Sequence, residues 1–199
     1  MNSDRVELIF HSTQQLPDME DVALVMLTDM DVKRQISIFC DMPSKYQIDL
    51  RTHSVRILSA NGEELGTPPA ELTRLMLPEV LCSIINYMTE LQLQVVITNV
   101  YEGKYHVVIE DAKTGTTFPV RASDGILLAL AHKHMPIYID YNLWKYQSLP
   151  LIKDNTGVAL PINTLTDDLL KSSFEKCIAE ENYEQAKQLK EEIDRRKRK

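Results

Sequence analysis

Cysteine is scarce in this 199-residue chain: Cys40, Cys82 and Cys177 are odd in number, far apart and free of CxxC spacing. That excludes a disulfide framework and a cysteine zinc site, and the three read as buried thiols. Long apolar runs are missing too. No window reaches the ~18 residues that a membrane-spanning helix needs, so no membrane association is expected. The first residues, Met1 to Glu7, show no basic stretch leading into an apolar segment, which points to a cytoplasmic protein. Positive charge is short: 22 Lys and Arg face 29 Asp and Glu, for a net charge of −7. The shortage is confined to residues 1–162, which hold 20 acids and 13 bases, while residues 163–199 hold 9 of each. So acidic a body offers no broad basic face to a phosphate backbone, and nucleic-acid binding is only weakly supported. Glycine is sparse at six, and Gly66-Thr-Pro-Pro is no phosphate loop. There is no GxSxG elbow, no cysteine has an identifiable base partner, and His11, His53, His106, His132 and His134 show no metal-ligand spacing.

What is present suits one ordinary domain with a small appendage, at 44% apolar and 26% charged residues. Residues 5–9, 22–27 and 35–40 read as strands of a meander, and 46–58 is open between helix and strand. From Pro69, apolar residues recur at three- and four-residue spacing as far as Met88, with Pro78 expected to break the run into two helices. Residues 94–100 and 105–110 form a hairpin around Gly103, followed by a strand at 117–121. Ser123 or Asp124 then caps a helix over Ile126 to Ala131, and Pro136 to Asp140 is a last strand. The order predicts an α+β body with a mixed or antiparallel sheet and packed helices over residues 1–147, then a linker at 148–163.

Residues 164–199 read as an α-helical hairpin. Thr166 caps a first helix striped by Leu169, Leu170, Phe174, Cys177 and Ile178; the chain turns at Glu181-Asn-Tyr, and Ala186, Leu189 and Ile193 stripe a second. Isolated helices of about fifteen residues are marginal in water, so the stripes are expected to bind another protein or to fold back on the body. The basic tail Arg195-Arg-Lys-Arg-Lys suits a helix C-terminus as solvated charge, with a nucleic-acid contact as the lesser alternative.

The run Phe174-Glu-Lys-Cys-Ile-Ala-Glu-Glu-Asn-Tyr-Glu-Gln-Ala-Lys-Gln-Leu-Lys-Glu-Glu-Ile resembles the UvrB/UvrC motif. The resemblance implies a protein partner, including a second copy of this chain, held by Leu170, Phe174, Tyr183, Ala186, Leu189 and Ile193. A second resemblance lies in Val120-Arg-Ala-Ser-Asp-Gly-Ile-Leu-Leu-Ala-Leu-Ala followed by His134-Met-Pro-Ile-Tyr-Ile, which is similar to the bifunctional nuclease (BFN) domain family. It implies metal-assisted hydrolysis of DNA or RNA in an oligomeric protein. The family's histidine-bearing helix start falls on Leu77-Pro-Glu-Val, where only Glu79 is acidic, and its acidic residue after the third strand falls near Ser44, where no carboxylate is evident.

Such chemistry needs clustered carboxylates to hold Mg²⁺ or Mn²⁺. The candidate catalytic residues are Asp124, Glu79, Arg121 and Ser123. Asp124 and Arg121 stand at a strand-to-helix junction, where a carboxylate meets a helix N-terminus and an arginine can face phosphate. Capping and mutual pairing is their plain structural role. Glu110-Asp111 reads as a solvated hairpin end. A non-catalytic interaction protein that recruits a partner through the hairpin is the competing class.

Overall fold

Apolar residues run without a break through Ala23-Leu24-Val25, and all three are fully buried, the pattern of a strand covered on both faces. This strand, β2 (Val22–Asp29), sits between β1 (Arg5–Gln15) and β3 (Arg34–Asp41) in an antiparallel meander. β1 continues past the expected residue 9 because a bulge between Phe10 and Ser12 resets its register. The computed structural model describes residues 4–16, 21–52, 57–58, 61, 64–66, 71–88, 90–101, 103–132, 135–151, 165, 167–179 and 181–197.

The ambiguous stretch begins as helix α1 (Met42–Arg51), followed by the short paired strands β4 (Ile57–Leu58) and β5 (Glu64–Gly66). The helix starts because Asp41 accepts a hydrogen bond from the Ser44 amide at 2.7 Å, with Pro43 in the first turn where no amide is needed. The break in the next helical run falls ahead of Pro78. α2 (Glu71–Arg74) ends before Leu75 and Met76, and Pro78 lies in the first turn of α3 (Leu77–Met88), where proline starts a helix instead of breaking one.

β6 (Leu93–Tyr101) and β7 (Lys104–Asp111) form the expected hairpin, with Gly103 at φ 75° in its turn. β8 (Thr117–Val120) adds antiparallel to β7, α4 (Ala122–Ala131) crosses over, and β9 (Ile137–Asp140) inserts between β1 and β6. The sheet therefore runs β3-β2-β1-β9-β6-β7-β8, with β9–β6 its parallel pair, and the α+β expectation holds. Asp140 accepts from the amides of Asn142 and Leu143 and starts α5 (Tyr141–Gln147), which the sequence reading left out. β10 (Leu149–Pro150) then pairs with β3, so the expected linker opens as an edge strand. Most of that linker, residues 152–164, lies outside the described residues.

α4 packs on α1, α3 and strands β3, β6 and β7, closing a core that includes Ile38, Ile48, Val95, Val107, Ile126 and Ile139. Its contact with the sheet is glycine-dependent. A methyl at Gly125 would meet Val107, Val120 and Val95 at 3.2–3.3 Å. The hairpin helices α6 (Asp167–Ala179) and α7 (Tyr183–Lys197) pack on each other. Among the described residues no helix is long and apolar enough to cross a membrane.

Candidate active site

Residues far apart in sequence meet where β3 runs into α1 and β8 runs into α4. Arg121 donates from Nε and Nη2 to the two carboxylate oxygens of Asp124 at 2.7 and 2.9 Å, and from Nη1 to Oδ2 of Asp41 at 3.2 Å. The planar guanidinium thus bridges two carboxylates, a task that its fork of donors suits. Asp124 does not cap α4. The N-cap position belongs to Arg121, which makes no side-chain cap bond, and Asp124 lies in the first turn, where its charge favours the helix dipole.

Asp41, which the sequence pattern did not single out, is the second carboxylate that Arg121 meets. It stands three residues before Ser44, at the end of the third strand. Hydrogen bonds from Ser44, with the Arg121 charge behind them, hold its carboxyl below the usual aspartate range. The sequence signal was present in Asp41-Met-Pro-Ser, a helix-start pattern with an acidic cap. The side chains of Arg121, Asp41 and Asp124 are 66%, 44% and 39% exposed, so their ion pairs are weak and free to exchange partners.

Beside this trio opens a cavity of about 430 Å³. Ile38 to Asp41 of β3 form one wall, Gly103 to Tyr105 another and Arg121 to Ser123 a third, while Leu169 of α6 reaches in from the hairpin. Ser123 is buried at this edge. Lys104 and Arg121 bring positive charge to the lining, Asp21 and Asp41 negative. The Tyr105 hydroxyl is buried with no hydrogen-bond partner among the described residues, and burial pushes its pKa well up. Cys40 also lines the cavity, but burial, with Asp41 nearby, raises its thiol to about 11, so it stays protonated and is no nucleophile at neutral pH.

Glu79 is elsewhere. Arg51 of α1, itself only 3% exposed, holds it through Nε–Oε1 and Nη2–Oε2 contacts of 2.7 Å each. Its pairing is therefore with α1, and nothing among the described contacts joins it to Arg121 or Asp124. Glu110 and Asp111 are not a solvated strand end. Glu110 takes two bonds from Arg5, at 2.8 and 2.9 Å, and Asp111 is buried, accepting from Thr114 at 2.8 Å and from the Gln92 and Lys113 amides. His132 lies 2.8 Å from Asn86, while His53 and His134 fall outside the described residues.

Among the described residues no three His, Cys, Asp or Glu side chains converge as a metal cage. Mg²⁺ is commonly held by one or two carboxylates, with substrate phosphate and water completing its shell, and Asp41 and Asp124, both bound to Arg121, are two carboxylates beside the cavity.

The hairpin stripe turns largely inward. Leu170, Ala186 and Leu189 are buried with Leu165 and Cys177, and Phe174, Ile193, Leu169 and Phe39 of β3 pack on this cluster. Of the expected partner-binding residues, Tyr183 is the one that stands out in solvent, 65% exposed, with Ile178 also on the surface. Two bases of the tail are spent within the hairpin: Arg195 pairs with Glu192 at 2.7 Å, and Arg196 with Glu192 and Asp167 at 2.9 and 2.8 Å. Burial disfavours the Glu192 charge, yet the two arginines outweigh it and hold the carboxyl below the usual range.

No protein-family model matches the chain, and no curated protein is significantly similar to it.

Proposed function

We propose that the body is a nuclease of the bifunctional-nuclease type, hydrolysing DNA or RNA phosphodiesters at the Asp41–Arg121–Asp124 site. The observation that supports this is one arginine bridging two carboxylates beside a cavity of about 430 Å³. Asp41 and Asp124 would hold Mg²⁺ or Mn²⁺, which supplies charge stabilisation at phosphorus and an acidified water. Arg121, released from the carboxylates, turns its bidentate fork to a non-bridging phosphate oxygen. Lys104 adds a second cation, and the apolar cavity wall receives the neighbouring base or sugar. Ser123 positions the helix start through its buried side chain. The protein is cytoplasmic in this reading, which its three free, buried cysteines favour. It self-associates through the body and takes a protein partner on the outer face of the hairpin around Tyr183.

The test is metal-dependent cleavage of single- and double-stranded DNA and RNA by the purified protein. Asp41→Asn and Asp124→Asn should each lower the rate by ~100-fold or more, as loss of a transition-state charge partner does. Glu79→Gln, at a different ion pair, should leave it within a few-fold. Cleavage that survives Asp41→Asn and Asp124→Asn removes the site assignment.

The second reading, a non-catalytic interaction protein, is favoured by a different observation. One face of α3 is apolar and exposed, a feature catalysis does not require. Pure protein that cleaves no substrate with either metal would leave this reading standing.

A further inference from the structure

Helix α3 is apolar on two faces, and the fold uses only one. Cys82 is buried and Pro78 and Ile85 are half-buried, at the four- and three-residue spacing of the stripe that faces the body. Among the described residues a second apolar stripe beside it is left open to solvent. Leu77 is 76% exposed, Leu81 41%, Ile84 52%, Tyr87 89% and Met88 70%, and Leu75 just ahead of the helix is 86% exposed. Summed over these six residues the exposed area is on the order of 800 Å², comparable to one partner's share of a standard interface.

The face carries almost no charge. The one acid or base between residues 77 and 88 is Glu79, and Arg51 of the same body neutralises it. A helix lying on a membrane surface would carry Lys or Arg along its polar margin, and α3 has neither. A straight, uncharged stripe about 18 Å long can meet its own copy antiparallel without like-charge repulsion, each residue reusing the same patch across a two-fold axis.

We propose that the α3 face, extended by Leu75, is an isologous interface with a second copy of this chain, its axis passing close to Leu81 and Ile84. This rests on the self-association proposed above and names the surface responsible. The experiment is sedimentation velocity on the full chain at micromolar concentrations, beside Leu81→Glu and Tyr87→Lys. Tyr87, 89% exposed, touches too little of its own body for its substitution to unfold it. The expected result is an even-numbered oligomer in the wild type, with Kd raised at least 100-fold in both variants and an unchanged far-UV spectrum. Ile84→Cys should also cross-link to its copy under mild oxidation. A monomeric wild type overturns both this proposal and the self-association reading, leaving the face to another segment or a different protein. An oligomer that persists in Tyr87→Lys and gives no Ile84→Cys cross-link keeps the self-association reading and overturns the surface.

Discussion

Single residues carry the sharpest departures from what backbone chemistry prefers. Val32 sits in the turn between β2 and β3 at φ 55°, a left-handed conformation that crowds any Cβ and a β-branched one most. The turn keeps its shape because Asp29 accepts from the amides of Lys33 and Arg34 at 2.8 and 3.2 Å. Val32 is itself exposed, so little burial is lost on truncation. Val32→Gly should therefore raise stability by about 0.5 to 1 kcal/mol, relief of the Cβ clash outweighing the added freedom of the unfolded chain. A urea titration that gives a lower midpoint counts against this account. Glu110 offers a pH-dependent counterpart. Hydrogen bonds from Arg5, which outweigh its burial, hold its carboxyl below the ordinary glutamate range. Because the folded-state pKa is the depressed one, the stabilisation is present above the unfolded value and disappears as pH falls through the folded value. Glu110→Gln should cost about 1 kcal/mol at pH 7, and the difference should shrink towards zero below about pH 4. A penalty that stays constant down to pH 3 would assign the effect to shape instead of charge.

Elements differ in how far their own residues announced them. The β6–β7 hairpin was legible because alternation and Gly103 fix strand and turn locally, and α3 was legible from its apolar spacing. α1 was not, since it buries only Ile48 and Leu50 of its apolar residues and its clearest signal is the cap at Asp41. α5 was missed for the same reason: Asp140, read as the end of a strand, is also the cap of a helix. The site was half legible. Arg121, Ser123 and Asp124 are neighbours in the chain, whereas the Asp41–Arg121 contact spans 80 residues and depends on how α4 is seated between β3 and β7. That seating turns on Gly125. Alanine would gain up to about 1 kcal/mol of helix propensity there but would press on three valines of which two are buried, an overpacking cost of about 1 to 3 kcal/mol. Gly125→Ala should come out destabilised by about 1 kcal/mol in a thermal or urea melt, and an unchanged or higher midpoint would show that α4 can lift off the sheet freely.

At the scale of the whole molecule, two apolar clusters of unequal size sit side by side. The larger spans the sheet, α1, α4 and α5, and the smaller lies within the hairpin, reaching the body through Phe39. A helical pair of this length with four buried cluster members of its own is marginal by itself, so its order depends on that docking. Phe39 is also a wall of the cavity beside Arg121, and Leu169 is another, so the hairpin both rests on the site and closes part of it. Two units joined by so narrow a contact should not unfold as one. Phe39→Ala should therefore release the hairpin while leaving the body folded. Amide exchange in α6 and α7 should accelerate ~10- to 100-fold, the equivalent of about 1.5 to 3 kcal/mol lost from a partly buried aromatic contact, while exchange in β2 and β6 holds within error of the wild type. Exchange that accelerates equally in hairpin and sheet would mean that the clusters form one cooperative unit, with Phe39 at its centre instead of at a joint.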